Sequence, residues 1–379
     1  MPRLLLSCGE LSGDLYAAEL VRHLRERTPG LEVFGLGGDR LRAQGARLTA
    51  HVRDLAVVGL WEVVAHLPRL RSIFHRVLAE VDAARPDLAV LVDYPDFNLR
   101  LARQLRRRDI PVVYYVSPQV WAWRRGRVRA IRETVSRMLV IFPFEEAVYR
   151  RAGVPVTFVG HPLVDLVRPV EDRNVFLRSA GLDPDRPVVG ILPGSRPTEV
   201  AHNAARLAGA AALLRTRKPE LQFLVALAPS LDPGPVQRAF AGTGARMAAG
   251  DSHAVLSASR LALVASGTAT VEAALLGVPM VVVYRVSRLT YGLGRPFVRV
   301  PHFAMVNLIA GRAVVPEVMQ ADFTPEKVAA EAAALLDEPE RYARARQDLA
   351  EVRRRLGEPG ASARAATLVA EGLGKGEKP

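Results

Sequence analysis

Reactive residue types gather where the chain turns after apolar runs. Asp93-Tyr94-Pro95-Asp96-Phe97-Asn98 follows the run Leu88–Val92. Two carboxylates and an amide there suit general-base removal of a proton from a hydroxyl, with Asp93, nearest the run, as the base. The competing reading is that Asp96 or Asn98 caps the following helix, Leu99–Arg107. Ser266-Gly267-Thr268-Ala269-Thr270 follows the run Leu261–Ala265 and leads into Val271–Leu276, a helix stopped by Gly277 and Pro279. A strand, a small-residue turn and a helix N-terminus make an anion site, because unpaired amides and the helix dipole both favour phosphate. Glu272, in the first helical turn, can accept hydrogen bonds from a ribose diol, or it simply stabilises the helix start. In Pro193-Gly194-Ser195-Arg196 a guanidinium held in a tight turn can grip a diphosphate bidentately, which a lysine cannot do.

Other stretches offer weaker chemistry. Gly9-Glu10-Leu11-Ser12-Gly13-Asp14 lets a ligand approach the backbone, with Ser12 or Asp14 as a helix cap, but it is not G-x-G-x-x-G. Gly35-Leu36-Gly37-Gly38-Asp39-Arg40 is a second glycine-rich loop at a strand end, where open α/β sheets place ligands. Asn307 precedes the helical segment Leu308–Gly311 and can cap it or read a base or ribose. Trp121 and Trp123 sit beside Arg124 and Arg125, a mixture suited to sugar faces, phosphates or RNA. Asp183-Pro184-Asp185 spells the D-x-D of metal-dependent sugar transferases but lies in a turn between domains. The single cysteine, Cys8, ends an apolar run and reads as a small buried residue.

These residues need a scaffold of alternating strand and helix. Apolar runs at Leu4–Ser7, Leu31–Leu36, Leu88–Val92, Pro111–Val116, Met138–Phe142 and Thr157–Val159 predict one parallel sheet. Pro187–Leu192, Leu221–Leu227, Arg246–Ala248, Leu261–Ala265 and Met280–Tyr284 predict a second. The Pro- and charge-rich stretch 162–173 predicts the boundary. The expected division is a Rossmann-like domain over 1–167, another over 168–350, and a C-terminal helix over 351–379 that packs back on the first. Residues 57–78 differ from the rest. Val63, Val64, Leu67, Leu70, Ile73 and Phe74 make a wide apolar surface interspersed with arginines, which Pro68 is expected to break in two. Either this is a packed helix pair, or it docks on an anionic membrane.

With 379 residues, 49% hydrophobic and 24% charged, the composition is globular and large enough for two cores. The net charge of +13 is spread over both halves and favours anionic partners. Only four of the 52 cations are lysine, so the arginine load is partly compositional bias. No signal peptide is visible and the most apolar window, 261–284, is punctuated by Gly, Pro, Ser and Thr, so the expectation is a cytoplasmic protein.

GELSGD, YPDFN, SPQVWAWR, FVGHPLVD, LPGSR, SGTATVE and NLIAG occur in this order along nearly the whole chain. The set resembles the lipid-A-disaccharide synthase family of inverting glycosyltransferases. The resemblance implies two tandem Rossmann-like domains of the GT-B type with a cleft between them. It implies transfer of 2,3-diacylglucosamine from its UDP derivative to 2,3-diacylglucosamine 1-phosphate (lipid X), giving a β-1,6 disaccharide 1-phosphate and UDP. It further implies no cofactor or metal, no nucleic-acid partner, peripheral attachment at the inner membrane's cytoplasmic face, and a monomer or homodimer. Asp93 matches the essential aspartate, with Glu10 beside it in the catalytic set. Ser12, Arg196, Ser266, Gly267, Thr268, Thr270, Glu272 and Asn307 fall to the UDP-sugar. Val63, Val64, Leu67, Leu70, Ile73, Phe74, Trp121 and Arg124 fall to acceptor lipid or membrane. Two departures bear on fit: Ala304-Met305-Val306 where many relatives carry Ser-Leu-Pro, and Tyr94 where many carry Ala. The alternatives are a lipid-linked GlcNAc transferase or UDP-GlcNAc epimerase on the same scaffold. An arginine-rich nucleic-acid binder leaves SGTATVE and LPGSR unexplained. A dinucleotide dehydrogenase is disfavoured, since neither half holds a complete G-x-G-x-x-G.

Overall fold

The computed structural model describes residues 1–55, 60–120, 126–229, 231–286 and 301–374, with 60–66 described by helical backbone alone. The chain forms two compact units, residues 1–162 with 356–379, and residues 163–355.

The first unit is built on seven parallel strands: β1 (Arg3–Cys8), β2 (Glu32–Gly37), β3 (Arg47–His51), β4 (Leu88–Val92), β5 (Val112–Tyr115), β6 (Arg137–Val140) and β7 (Val156–Phe158). Their order is β3-β2-β1-β4-β5-β6-β7. The central strands are apolar throughout because both faces are covered by helices, and β4 is buried along its whole length. β1 and β4 lie side by side in register, Cys8 against Val92. The strand order reverses its direction of winding between them, so their C-terminal ends form the switch point at which doubly wound sheets leave a crevice. Gly35 is required where β2 passes β1: its φ is +133°, and a Cβ would stand 2.1 Å from the Leu6 carbonyl oxygen.

The second unit repeats the order with β8 (Val188–Leu192), β9 (Gln222–Leu227), β10 (Arg246–Ala249), β11 (Leu261–Ala265), β12 (Met280–Tyr284) and β13 (Glu317–Met319), arranged β10-β9-β8-β11-β12-β13. Its switch point lies between β8 and β11, with Leu192 against Val264. The edge strands β3 and β13 escape a search for apolar runs. They are short, carry Arg47, His51 and Glu317, and have one neighbour each to shield them.

Two local expectations are corrected. Pro68 does not divide 57–78: one helix runs Leu60–Ala84 with the proline inside it. Ile73, Val77 and Val81 form its buried stripe, and Phe74 packs edge-on against Phe97 at 5.3 Å. Thus Ile73 belongs to the core, and Leu70 and Phe74, both partly buried, pack against it. Ion pairs from Arg69 to Asp54 and from Glu80 to Arg47 tie this helix to the sheet edge. Leu67 alone of the described apolar candidates is exposed; the side chains of Val63 and Val64 lie outside the described set. Helix Ala361–Gly374 packs on Leu11–Arg27 within the first unit. Among the described residues no helix is long and apolar enough to cross a membrane.

Candidate active site

At the switch point of the first unit the chain leaves β4 through Asp93 and Tyr94, both left-handed, with φ of 46° and 50°. Two consecutive non-glycine residues in that region store strain, on the order of 1–3 kcal/mol each, that their surroundings must offset. The surroundings do so. The Asp93 amide donates to the Tyr115 carbonyl at 3.1 Å. The Asp93 carbonyl accepts from Asn98 Nδ2 at 2.7 Å and from the Tyr114 hydroxyl at 2.6 Å. The Asp93 side chain is half-buried at the strand end.

Asn98 is the centre of this arrangement. It is fully buried, accepts from Ser7 Oγ at 2.7 Å, and donates to the carbonyls of Ser7, Val92 and Asp93. It therefore clasps the ends of β1 and β4 and holds the Asp93 turn. The capping alternative is corrected: the helix starts at Pro95, its N-cap is Tyr94 without a side-chain cap, and exposed Asp96 pairs with Arg127. Asp14 is likewise no cap of its own helix. Buried, it accepts from the amides of Gly38 (2.6 Å), Arg40 (3.1 Å) and Leu41 (3.2 Å), and so fixes the second glycine-rich loop. Glu10, at the end of β1, is exposed and immediately precedes the helix; Ser12 is half-buried in its first turn. The Tyr94 ring lies over Gly9, where a Cβ would stand 2.1 Å from its Cγ. Burial, and then the charge of Glu10, raise the Tyr94 phenol above its usual range.

At the second unit's switch point the groups differ. After β8 the chain turns through Gly194, with φ of +129°, into helix Pro197–Arg217, for which Arg196 is the N-cap residue. Glu199 Oε2 reaches back to accept from the amides of Ser195 (3.0 Å) and Arg196 (3.3 Å), the acidic half of a capping box. Asn203 Nδ2 ties the helix to the Pro193 carbonyl at 2.9 Å. The Arg196 side chain remains mostly exposed, with a 3.4 Å contact to Glu199 Oε1.

After β11, helix Thr268–Leu275 begins three residues earlier than its apolar pattern suggests. Gly267, its N-cap, has φ of +157° and open space where a Cβ would point. Gly267 and Thr268 are exposed, so the first amides of the helix are accessible. Ser266 donates through Oγ to the Phe303 carbonyl at 3.1 Å. Thr270 is wholly buried and its hydroxyl donates to the Gly267 carbonyl at 2.8 Å, which shapes the turn instead of facing a ligand. Glu272 falls in the second helical turn, not the first. It accepts from Ser252 Oγ at 3.1 Å and has His253 Nε2 at 3.8 Å. Burial pushes its carboxyl above the usual range, a shift that His253 and Ser252 reduce.

Asn307 does not precede its helix. It lies fully buried inside Met305–Ala310, whose N-cap is Ala304. Its Oδ1 accepts from the amides of Val314 (2.7 Å) and Val315 (3.0 Å); its Nδ2 donates to the Val315 carbonyl (3.0 Å) and Glu317 Oε1 (2.7 Å). All its hydrogen-bonding capacity is committed inside the fold. Glu317 also accepts from the amides of Phe303 and Ala304, both at 3.0 Å, which closes the loop beside Ser266.

Trp121 and Arg124 lie outside the described residues. Cys8 is buried, and desolvation raises its thiol far above the nucleophilic range. Asp183 and Asp185 stay in their turn, where Asp183 Oδ1 accepts the Asp185 amide at 2.9 Å. Sequence reading missed Asn98, Asn203, Ser252 and Glu317 as organisers. Glu199 alone carried a local signal, an acidic residue three positions after the turn.

The sequence pattern of the lipid-A-disaccharide synthetase family matches residues 4–371. The chain is 49% identical over 360 residues to the lipid-A-disaccharide synthase of Koribacter versatilis, covering 94% of each chain. It is 47% identical over 378 residues to that of Myxococcus xanthus, covering 99% of this chain and 98% of the relative. Among solved structures it resembles UDP-GlcNAc 2-epimerase from Neisseria meningitidis bound to UDP-GlcNAc, with TM-score 0.64, 13% identity, and coverage of 99% and 100%. It also resembles the calicheamicin glycosyltransferase CalG4, with TM-score 0.62, 18% identity and full coverage of both chains. At such identities these structures speak for the fold.

Proposed function

This chain belongs to the lipid-A-disaccharide synthase family, and from that premise we propose that it transfers 2,3-diacylglucosamine from UDP to the 6-hydroxyl of lipid X with inversion. Asp93 takes the acceptor's proton as the hydroxyl oxygen bonds to the sugar's anomeric carbon. The bond from that carbon to UDP breaks on the opposite face, which gives the β-1,6 disaccharide 1-phosphate. A positioned base of this kind contributes about 10²–10⁴-fold. Glu10 stands at the neighbouring strand end as the second carboxylate of the set.

The second unit takes the nucleotide. The guanidinium of Arg196 and the amides at Gly267 and Thr268 meet the charge that develops on departing UDP, a preorganised stabilisation of the oxyanion-hole kind. Ser266 fixes the turn against Phe303, and Thr270 and Asn307 hold this surface from beneath. Glu272 accepts the ribose hydroxyls, held by Ser252 and His253. Ser12 lines the sugar's approach. Exposed Leu67, in the arginine-bearing helix Leu60–Ala84, serves as a foothold at the cytoplasmic face of an anionic membrane.

The observation that supports this reading most is the Asp93 turn, a strained pair of residues clamped from three sides at a switch point. Mass-spectrometric analysis of products from UDP-2,3-diacylglucosamine and lipid X, with EDTA present, tests it. The expected product is the disaccharide 1-phosphate with stoichiometric UDP. No disaccharide, or turnover of UDP-GlcNAc in the absence of any acceptor, would overturn it.

A further inference from the structure

A second cluster of positive charge lies on the helix that begins just after Asp93. Helix Pro95–Arg106 carries Asp96, Arg100 and Arg103 at spacings of four and three, which place side chains on one face over successive turns. Helix Arg127–Thr134 packs beside it. The two border an open cavity of about 200 Å³ lined by Asp96, Arg100, Arg103, Arg127 and Ala130, among others.

The charges at this cavity do not balance. Among its lining residues Asp96 is the one carboxylate, and it pairs with Arg127. Glu133, further along the second helix, is held by Arg129 at 2.8 Å, and the charges of Arg132 and Arg103 also act on it, which still leaves Arg100 without a carboxylate of its own among the lining residues. Arg100 and Arg103 are exposed and share a face, and like charges at that spacing repel. A dianion between them would relieve the repulsion. A phosphate monoester carries about −1.5 to −2 charges at pH 7 and offers oxygens that match the guanidinium fork.

We propose that this cavity is a phosphate-monoester site, gripped by Arg100 and Arg103, that holds the 1-phosphate of the sugar acceptor. The proposal rests on the acceptor reading given above. The helix starts two residues past the proposed base. At its 1.5 Å rise, Arg100 lies about 6 Å and Arg103 about 10 Å along the axis from Asp96. The helix thus begins just past the base and carries the phosphate grip further along. Anchoring the phosphate selects which hydroxyl can reach Asp93, so the site sets regiochemistry as well as affinity. Anionic bilayer lipids offer the same phosphate chemistry, and the test separates the two sources.

The test uses the variant Arg100→Ala with Arg103→Ala. Both positions are exposed and helical, so alanine preserves the fold. KM is measured in detergent micelles for lipid X and for 2,3-diacylglucosamine lacking the phosphate. Binding to phosphatidylcholine vesicles with and without phosphatidylglycerol is measured in parallel. The expected result is a KM for lipid X raised at least about tenfold, since loss of a charged hydrogen bond weakens binding by about that factor or more. The KM for UDP-sugar, turnover of the unphosphorylated acceptor and vesicle binding should be unchanged. An unchanged KM for lipid X, or equal losses on both acceptors, would overturn the proposal. Loss of vesicle binding with micellar KM intact would overturn it in favour of bilayer phosphate. If the wild-type protein forms no disaccharide, the transfer reading fails on its own. Calorimetry with glucosamine 1-phosphate against glucosamine then decides the site: weaker binding of the phosphate by the variant supports it, and equal binding refutes it.

Discussion

The two switch points share a topology and differ in chemistry. Between β1 and β4 the chain presents two carboxylates: Glu10 at the start of a helix, and Asp93 on a strained turn clasped by a buried asparagine. Between β8 and β11 it presents exposed amides, a guanidinium and, at Gly267, a glycine with room above it. The same strand order therefore carries carboxylates at one edge and exposed amides with a guanidinium at the other. Sheet topology places the edge, and the first few residues after each strand decide what the edge can do.

The largest effects are expected at Asp93 and Arg196. Asp93→Asn keeps shape and hydrogen bonding while removing basicity. Turnover should fall about 10²–10⁴-fold with UDP affinity, read by calorimetry, nearly unchanged. Wild-type turnover would remove Asp93 from the mechanism. Arg196→Ala should cost about 10²–10³-fold in kcat and weaken UDP as well, because its charge acts on the leaving group in both states. An effect on lipid X alone would contradict the division of labour.

Acidification should move the units in opposite directions. His161 is buried beside Tyr16 and Phe142, and burial pushes its pKa down to about 3. Its neutral form contributes stability that is complete above the unfolded value of 6.5 and is lost as pH falls toward 3. At pH 5 the loss is about 2 kcal/mol, from 1.36 kcal/mol per pH unit. Glu272, with a raised pKa, has the reverse sign: its protonated form is favoured by burial, so its contribution weakens as pH rises through the folded value. Hydrogen exchange at pH 7 and pH 5 should show the first unit losing protection relative to the second, and His161→Gln should flatten the difference.

The smallest effect separates two buried amides. Asn98→Ala leaves carbonyls and the Ser7 hydroxyl unsatisfied, at about 1–3 kcal/mol, and frees the Asp93 turn. Asn307→Ala should destabilise by a similar amount through its own network. Denaturant midpoints would drop for both. Turnover on saturating donor should fall for Asn98→Ala, whereas the KM for UDP-sugar should rise for Asn307→Ala.

Legibility followed the kind of signal each element sends. Buried strands such as β4, β8 and β11 announce themselves because both faces are apolar. Edge strands β3 and β13 do not, since half of each faces outward. The place of Asp93 was legible because a residue directly after a buried strand stands at the C-terminal edge of the sheet. Asn98 was not: from its position a cap, a ligand contact and a clasp look alike, and Ser7, its partner, is 91 residues away. The patch at 57–78 misled in part because an apolar face says only that something covers it. For Ile73 and Phe74 the cover is this chain's own core.

By itself the sequence determined the strand and helix rhythm, the turn residues that carry charge and the family resemblance, since these rest on local pattern and on order along the chain. Tertiary structure decided which polar side chains face outward. Thr270 and Asn307 turned inward to satisfy buried amides and carbonyls, Asp14 tied a distant loop, and Arg100 and Arg103 came to share a cavity with Arg127. Direction and partnership depend on neighbours far off in the chain, where desolvation and hydrogen-bond satisfaction settle what spacing alone leaves open.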